Sequence, residues 1–184
     1  MNKTFLHRIK IIQAATGFNI EDNYIDHGTQ GIIFRKNQSV VKVSNDVEEA
    51  KIAEWAQINP HPYLPVIEEV ICFPKNIRAI VREPLEDLEQ IGDLDAWLTH
   101  VIKTVRPNNK QVSYSTQILN SIGDFSSLYI REIVDILTWL DEQRFLVREL
   151  FSFNFGRRGS QVVVRDLGML RVNPRRTINL AKQP

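Results

Sequence analysis

Lys42 lies inside the apolar, β-prone run Val40-Val41-Lys42-Val43. A lysine there either alternates out to solvent or reaches inward, and an ammonium turned inward needs an anion beside it. Glu48 and Glu49 follow on the next predicted helix, and a Lys–Glu pair of this kind holds the ammonium ready for a phosphate. Upstream, Gly28-Thr29-Gln30-Gly31 sits between two β-prone pieces, where glycines let backbone N–H groups approach phosphate oxygens; the same residues also suit a plain hairpin turn. Downstream, Asn154 and Asp166 flank a predicted β-hairpin, with Glu149 on the loop leading into it. Oxygen donors so placed suit Mg²⁺, which takes one or two protein oxygens and completes its shell with phosphate and water. Each of these acids and amides, taken singly, fits a surface or turn position as well.

The elements that must position these residues are legible from periodicity. Phe5, Leu6, Ile9, Ile12 and Ala15 predict a short amphipathic helix over 4–15 that ends at Thr16-Gly17 and packs on the segment after it. Residues 24–43 read as a three-stranded meander, turning at 35–38. Asn45 or Asp46 caps a helix over 47–58, stopped by Pro60 and Pro62, and two further strands at 66–73 and 77–83 flank the turn Pro74-Lys75-Asn76. After Leu88 the pattern is helical: 94–105, with Asp93 as its N-cap, and 126–143. Two short β runs, 153–155 and 162–165, joined by a turn at 157–160, precede a basic tail. The expectation is an α+β chain of two parts, 1–85 with a five-stranded sheet and one long helix, and 86–184, mostly helical with a hairpin.

Composition limits the function classes. The 184 residues, 43% apolar and 24% charged, describe an ordinary globule. Cys72 is the sole cysteine, which excludes an internal disulfide and a thiolate metal site and points to a reducing, cytoplasmic setting. No signal peptide or membrane span is legible. His7, His27, His61 and His100 lack metal-ligand spacing, and neither a GxSxG element nor a Cys–His pair is in view. Trp55, Trp97 and Trp139 fall on predicted helices as core or interface anchors. Charge is uneven: Asp46 to Asp95 holds twelve acids against four Lys/Arg, and Gly156 to Pro184 holds seven Lys/Arg against one acid. That basic segment, with Arg157, Arg158, Arg165, Arg171, Arg175, Arg176 and Lys182, suits phosphate, nucleic acid, an acidic partner or plain solvation.

Over about residues 24–170 the order of these pieces resembles the protein-kinase-like superfamily, which includes small-molecule phosphotransferases. Asp26-His-Gly28-Thr-Gln-Gly31 is similar to its glycine-rich loop, Lys42 to its strand lysine and Glu49 to the helix glutamate, with Glu48 competing. Ile80-Val-Arg-Glu-Pro-Leu85 resembles the last N-lobe strand and hinge, and Val147-Arg148-Glu149-Leu-Phe-Ser-Phe-Asn154 the catalytic loop. Asp166-Leu167-Gly168 resembles the metal-binding Asp-Phe-Gly. The resemblance implies a two-lobe fold binding ATP and Mg²⁺. Lys42 would take the α/β-phosphates, backbone groups from Glu83 to Leu85 the adenine edge, Asn154 and Asp166 the metal, and Glu149 the acceptor hydroxyl.

Three departures carry consequences. Glu149 stands where the family has Asp, moving its carboxylate by about 1 Å, enough to cost on the order of 10²-fold in a reaction that depends on positioning. Asp26 replaces the first glycine of the loop and brings a carboxylate near the expected phosphates. The sequence stops sixteen residues after Gly168, which implies a truncated C-lobe like those of short kinase-like proteins in phage and bacterial genomes. Such a C-lobe would be completed by a protein partner or a second copy of the chain. These readings leave three function classes: an ATP-dependent phosphotransferase, weak or partner-dependent; a pseudokinase acting as a nucleotide-sensing or interaction module; and nucleic-acid binding through the basic end.

Overall fold

The computed structural model describes residues 3–20, 23–27, 31–89, 92–105, 129–148 and 150–172. The fold is α+β, and the chain divides into two compact units, Met1–Pro60 with Val66–Pro84, and His61–Pro65 with Leu85–Pro184.

The first unit is a five-stranded antiparallel sheet with two helices. Helix α1 (Lys3–Thr16) ends where Gly17 adopts φ +73°, its N–H donating to the Gln13 carbonyl at 2.8 Å. Strands β1 (Tyr24–His27), β2 (Gly31–Lys36) and β3 (Ser39–Ser44) form the meander, turning at Asn37, whose φ of 57° suits asparagine. Helix α2 (Val47–Ile58) follows, then β4 (Ile67–Cys72) and β5 (Arg78–Arg82), in the sheet order β1-β2-β3-β5-β4. Pairing of Ile32 with Val43, Phe34 with Val41, Val41 with Val81 and Val43 with Ala79 puts these side chains on one face. Ile9 and Ile12 of α1 join them in one buried cluster, as the helical spacing anticipates. The opposite face carries Gly31, Ile33, Lys42, Ser44 and Ile80.

The second unit is built on helices α3 (Gly92–Val105) and α4 (Ile130–Glu142). Their buried Leu94, Trp97, Leu98, Ile133, Ile136, Leu137 and Leu140 repeat at helical spacing. Helix α3 begins at Gly92, so Asp93 stands inside the first turn and is not the cap; its charge still favours that end of the helix. Residues 126–128 of the expected second helix lie outside the described residues.

Two antiparallel pairs complete the unit: β6 (Phe145–Val147) with β9 (Leu170–Val172), and β7 (Phe155–Arg158) with β8 (Gln161–Val164). The hairpin is shifted from expectation. Phe153 belongs to a 3₁₀ turn, Ser152–Asn154, and β7 runs through Arg158, leaving Gly159 at φ +60° to make the turn. Val162, Val163 and Val164 are all buried, so β8 shows no alternation.

The loop His61–Pro65 is held by this hairpin. Val164 N–H donates to the Tyr63 carbonyl at 2.9 Å, and Arg158 Nη2 to the Leu64 carbonyl at 2.8 Å. His61 stacks on Trp139 with centroids 3.9 Å apart, and its Nδ1 accepts from Tyr63 N–H at 3.3 Å. Burial pushes the His61 imidazole below its ordinary value of 6.5. Asp135 and Glu142 line the groove beside it and would favour the imidazolium; burial outweighs them. The unfolded chain therefore binds a proton near pH 6.5 that the folded chain refuses, so stability is full above that pH and falls as the pH drops through it toward the lowered folded value. His61→Phe keeps a ring on Trp139 and is expected to flatten the decline of the thermal midpoint between about pH 7 and 5; an unchanged profile would show that His61 does not cause it.

Candidate functional site

Lys42 Nζ donates to Glu49 Oε1 at 2.6 Å, with the lysine side chain 12% and the glutamate side chain 2% exposed. Three local features build this pair. Asp46 caps α2, its Oδ1 accepting from Glu48 and Glu49 N–H at 3.0 and 3.1 Å, which sets the first turn and points Glu49 at the sheet while Glu48 remains exposed. Ser44 Oγ donates to Glu49 Oε2 at 3.3 Å. Gly31, opposite Ser44, leaves room for the lysine stem, because a Cβ there would lie 3.0 Å from the Val43 carbonyl and 3.3 Å from Lys42 Cε. An ion pair this sheltered is screened far less than a surface one, and it keeps a cation at a set place on the sheet.

The rest of the glycine-rich element is described in part. Gly28 lies outside the described residues. Asp26 is exposed on β1, its Oδ1 accepting from His27 N–H at 2.7 Å, and the Tyr24 hydroxyl hydrogen-bonds His27 Nδ1. Partial burial, followed by the Asp26 charge, raises the Tyr24 phenol above its ordinary value.

In the second unit the structure brings Asn154 and Asp166 together. The Asn154 carbonyl accepts from Arg165 N–H at 2.7 Å and Asp166 N–H at 3.2 Å, closing the two ends of the β7–β8 hairpin on each other. Asn154 is buried, and its Oδ1 accepts from Phe151 N–H at 2.9 Å; an amide oxygen has a second lone pair for a cation. Asp166 Oδ1 accepts from Gly168 N–H at 3.0 Å and caps the 3₁₀ turn Leu167–Met169. One carboxylate and one amide oxygen on a single hairpin base fit the oxygen preference of Mg²⁺. Glu149 lies outside the described residues; before it, Arg148 N–H donates to the Met169 carbonyl at 2.6 Å.

The expected hinge residues are engaged locally. Glu83 N–H donates to the Val66 carbonyl at 3.1 Å, and Glu83 Oε1 accepts from Val66 N–H at 2.7 Å. The Leu85 carbonyl accepts from Arg165 Nη2 at 3.4 Å. The basic segment likewise turns inward where it is described. Arg157 pairs with Glu86 and Glu89, Arg158 with loop carbonyls, Arg165 with Asp87, and Arg171 with the Gly168 and Leu170 carbonyls. Arg175, Arg176 and Lys182 lie outside the described residues.

Ser44, and Gly156, where a Cβ would lie 2.9 Å from the Arg165 guanidinium, carry no motif in the sequence, and Arg165 shows there only as part of a charge run. A serine five positions before a candidate ion-pair glutamate is a usable signal for the first; nothing local marks the other two. No family model and no curated protein sequence matches this chain. Among the described residues no helix is long and apolar enough to cross a membrane.

Proposed function

We propose that this chain is a protein-kinase-like phosphotransferase that uses ATP and Mg²⁺, with the first unit as its N-lobe and the second as a short C-lobe. The observation that carries this reading is the sheltered Lys42–Glu49 pair, joining the central strand of a β1-β2-β3-β5-β4 sheet to the helix inserted between β3 and β4. The pair holds an ammonium, on a side chain 12% exposed, at a set place on the sheet, which suits a binding role for that cation. Lys42 would take the α/β-phosphates, and Asn154 and Asp166 would hold Mg²⁺, which when bound neutralises charge on the phosphate oxygens. Glu149 would orient an acceptor hydroxyl and take its proton as the oxygen bonds to the γ-phosphorus and ADP leaves.

A pseudokinase is the second reading, favoured by one observation: the Leu85 carbonyl, on the segment assigned to adenine, already accepts from Arg165. Calorimetric titration with ATP, with and without Mg²⁺, tests the nucleotide site. Saturable binding that tightens with Mg²⁺ is the expected result, and no heat at millimolar ATP from a folded sample would overturn it. Formation of ADP together with phosphorylated acceptor or chain would then separate the transferase from the pseudokinase.

A further inference from the structure

Residues 85–87 open the longer segment of the second unit, and their polar groups converge on one side chain. Arg165 Nη2 donates to the Leu85 carbonyl at 3.4 Å and to the Glu86 carbonyl at 2.5 Å, while Nη1 donates to Asp87 Oδ1 at 2.6 Å. A guanidinium is planar and donor-only, so it offers carbonyl oxygens what the amino edge of a purine offers them.

The place has been made for it. Gly156 of β7 faces the guanidinium, and a Cβ there would lie 2.9 Å from both Nε and Nη2 of Arg165 and 3.0 Å from the Glu86 carbonyl. The backbone on either side is pinned: Glu86 and Arg157 exchange N–H···O=C bonds of 3.0 and 2.9 Å, and Arg165 N–H is fixed to the Asn154 carbonyl. The outer anchor is different, because Asp87 is 88% exposed and an ion pair to so open a carboxylate holds weakly. The guanidinium is thus held closely by the Glu86 carbonyl and only loosely by the Leu85 carbonyl at 3.4 Å and by exposed Asp87, while the strand hydrogen bonds beside it do not involve the guanidinium.

We propose that Arg165 is an intramolecular competitor of the nucleobase: its guanidinium holds the Leu85 and Glu86 carbonyls, and a purine seats there only when Arg165 swings away. This rests on the nucleotide reading above. Affinity for ATP is then reduced by the fraction of molecules in which Arg165 is in place, and release of Arg165 restores it. Arg165 immediately precedes Asp166, so its position also bears on the loop that carries the expected metal ligand.

The test titrates the full chain and its variants with three probes in Mg²⁺: ATP, adenosine, which lacks phosphates, and tripolyphosphate, which lacks a base. Arg165→Ala is expected to bind ATP and adenosine about tenfold tighter than the wild type, with no gain for tripolyphosphate. Asp87→Asn, a change at an exposed residue that leaves the fold intact, is expected to give a gain of about two- to fivefold in the same two probes. It decides the matter should Arg165→Ala not fold. If tripolyphosphate and ATP bind the wild type but neither variant gains for adenosine or ATP, Arg165 is a structural strut and the proposal fails while the nucleotide reading stands. If no probe binds any folded variant, both fall.

Discussion

Lys42→Met is expected to destabilise the first unit by about 3 kcal/mol, because it strands the Glu49 carboxylate, 2% exposed, without its cation. Ser44 Oγ, at 3.3 Å, is a neutral donor and offsets little of the loss. The double variant Lys42→Met/Glu49→Leu removes both charges and is expected to recover stability to within about 1 kcal/mol of wild type, since apolar replacement of a whole buried pair is commonly neutral. Binding should not follow stability. Both variants are expected to lose ATP affinity, because the site has lost its cation in each. Urea unfolding and calorimetry on the four corners of the cycle separate the two effects; ATP affinity in the double variant equal to wild type would show that the pair is structural only.

Asp166→Asn has the opposite profile. Asn can still accept from Gly168 N–H and is as good a cap for the Leu167–Met169 turn, so stability is expected to stay within the range of an ordinary surface change, about 0.5 kcal/mol. The full negative charge is lost, and with it the dominant attraction for Mg²⁺. Phosphoryl transfer is expected to fall on the order of 10³-fold, the equivalent of several kcal/mol of charge stabilisation. Turnover assays at several Mg²⁺ concentrations check this, and a variant that keeps wild-type turnover at low Mg²⁺ would remove Asp166 from the metal's ligands.

The elements with a strong local signature were legible from sequence. The periodic apolar positions of α1, α3 and α4, the Asp46 cap of α2 and the β-prone apolar runs of β2 and β3 all act over a few residues, and each element stands where its pattern places it. The β6–β9 pair was not legible. Phe145-Leu146-Val147 is three residues hard against a helix, and Leu170-Arg171-Val172 reads as the start of a basic tail until Arg171 is seen buried with its donors on local carbonyls. Short strands draw their stability from each other, so neither carries a pattern of its own.

The sequence by itself determined the chemistry on offer: a lysine within an apolar strand, followed by a helix with two candidate glutamates, and a hairpin bracketed by an amide and a carboxylate. Which glutamate answers the lysine was a matter of tertiary structure, because Asp46 sets the phase of α2 and Gly31 clears the path for Lys42 from a neighbouring strand. The placement of Arg165 was wholly so. Its partners on residues 85–87 lie 78 to 80 positions away, and the glycine that accommodates it stands on another strand. Residue type and spacing report interactions within a turn or a hairpin; a contact between distant segments exists only once the chain has closed on itself.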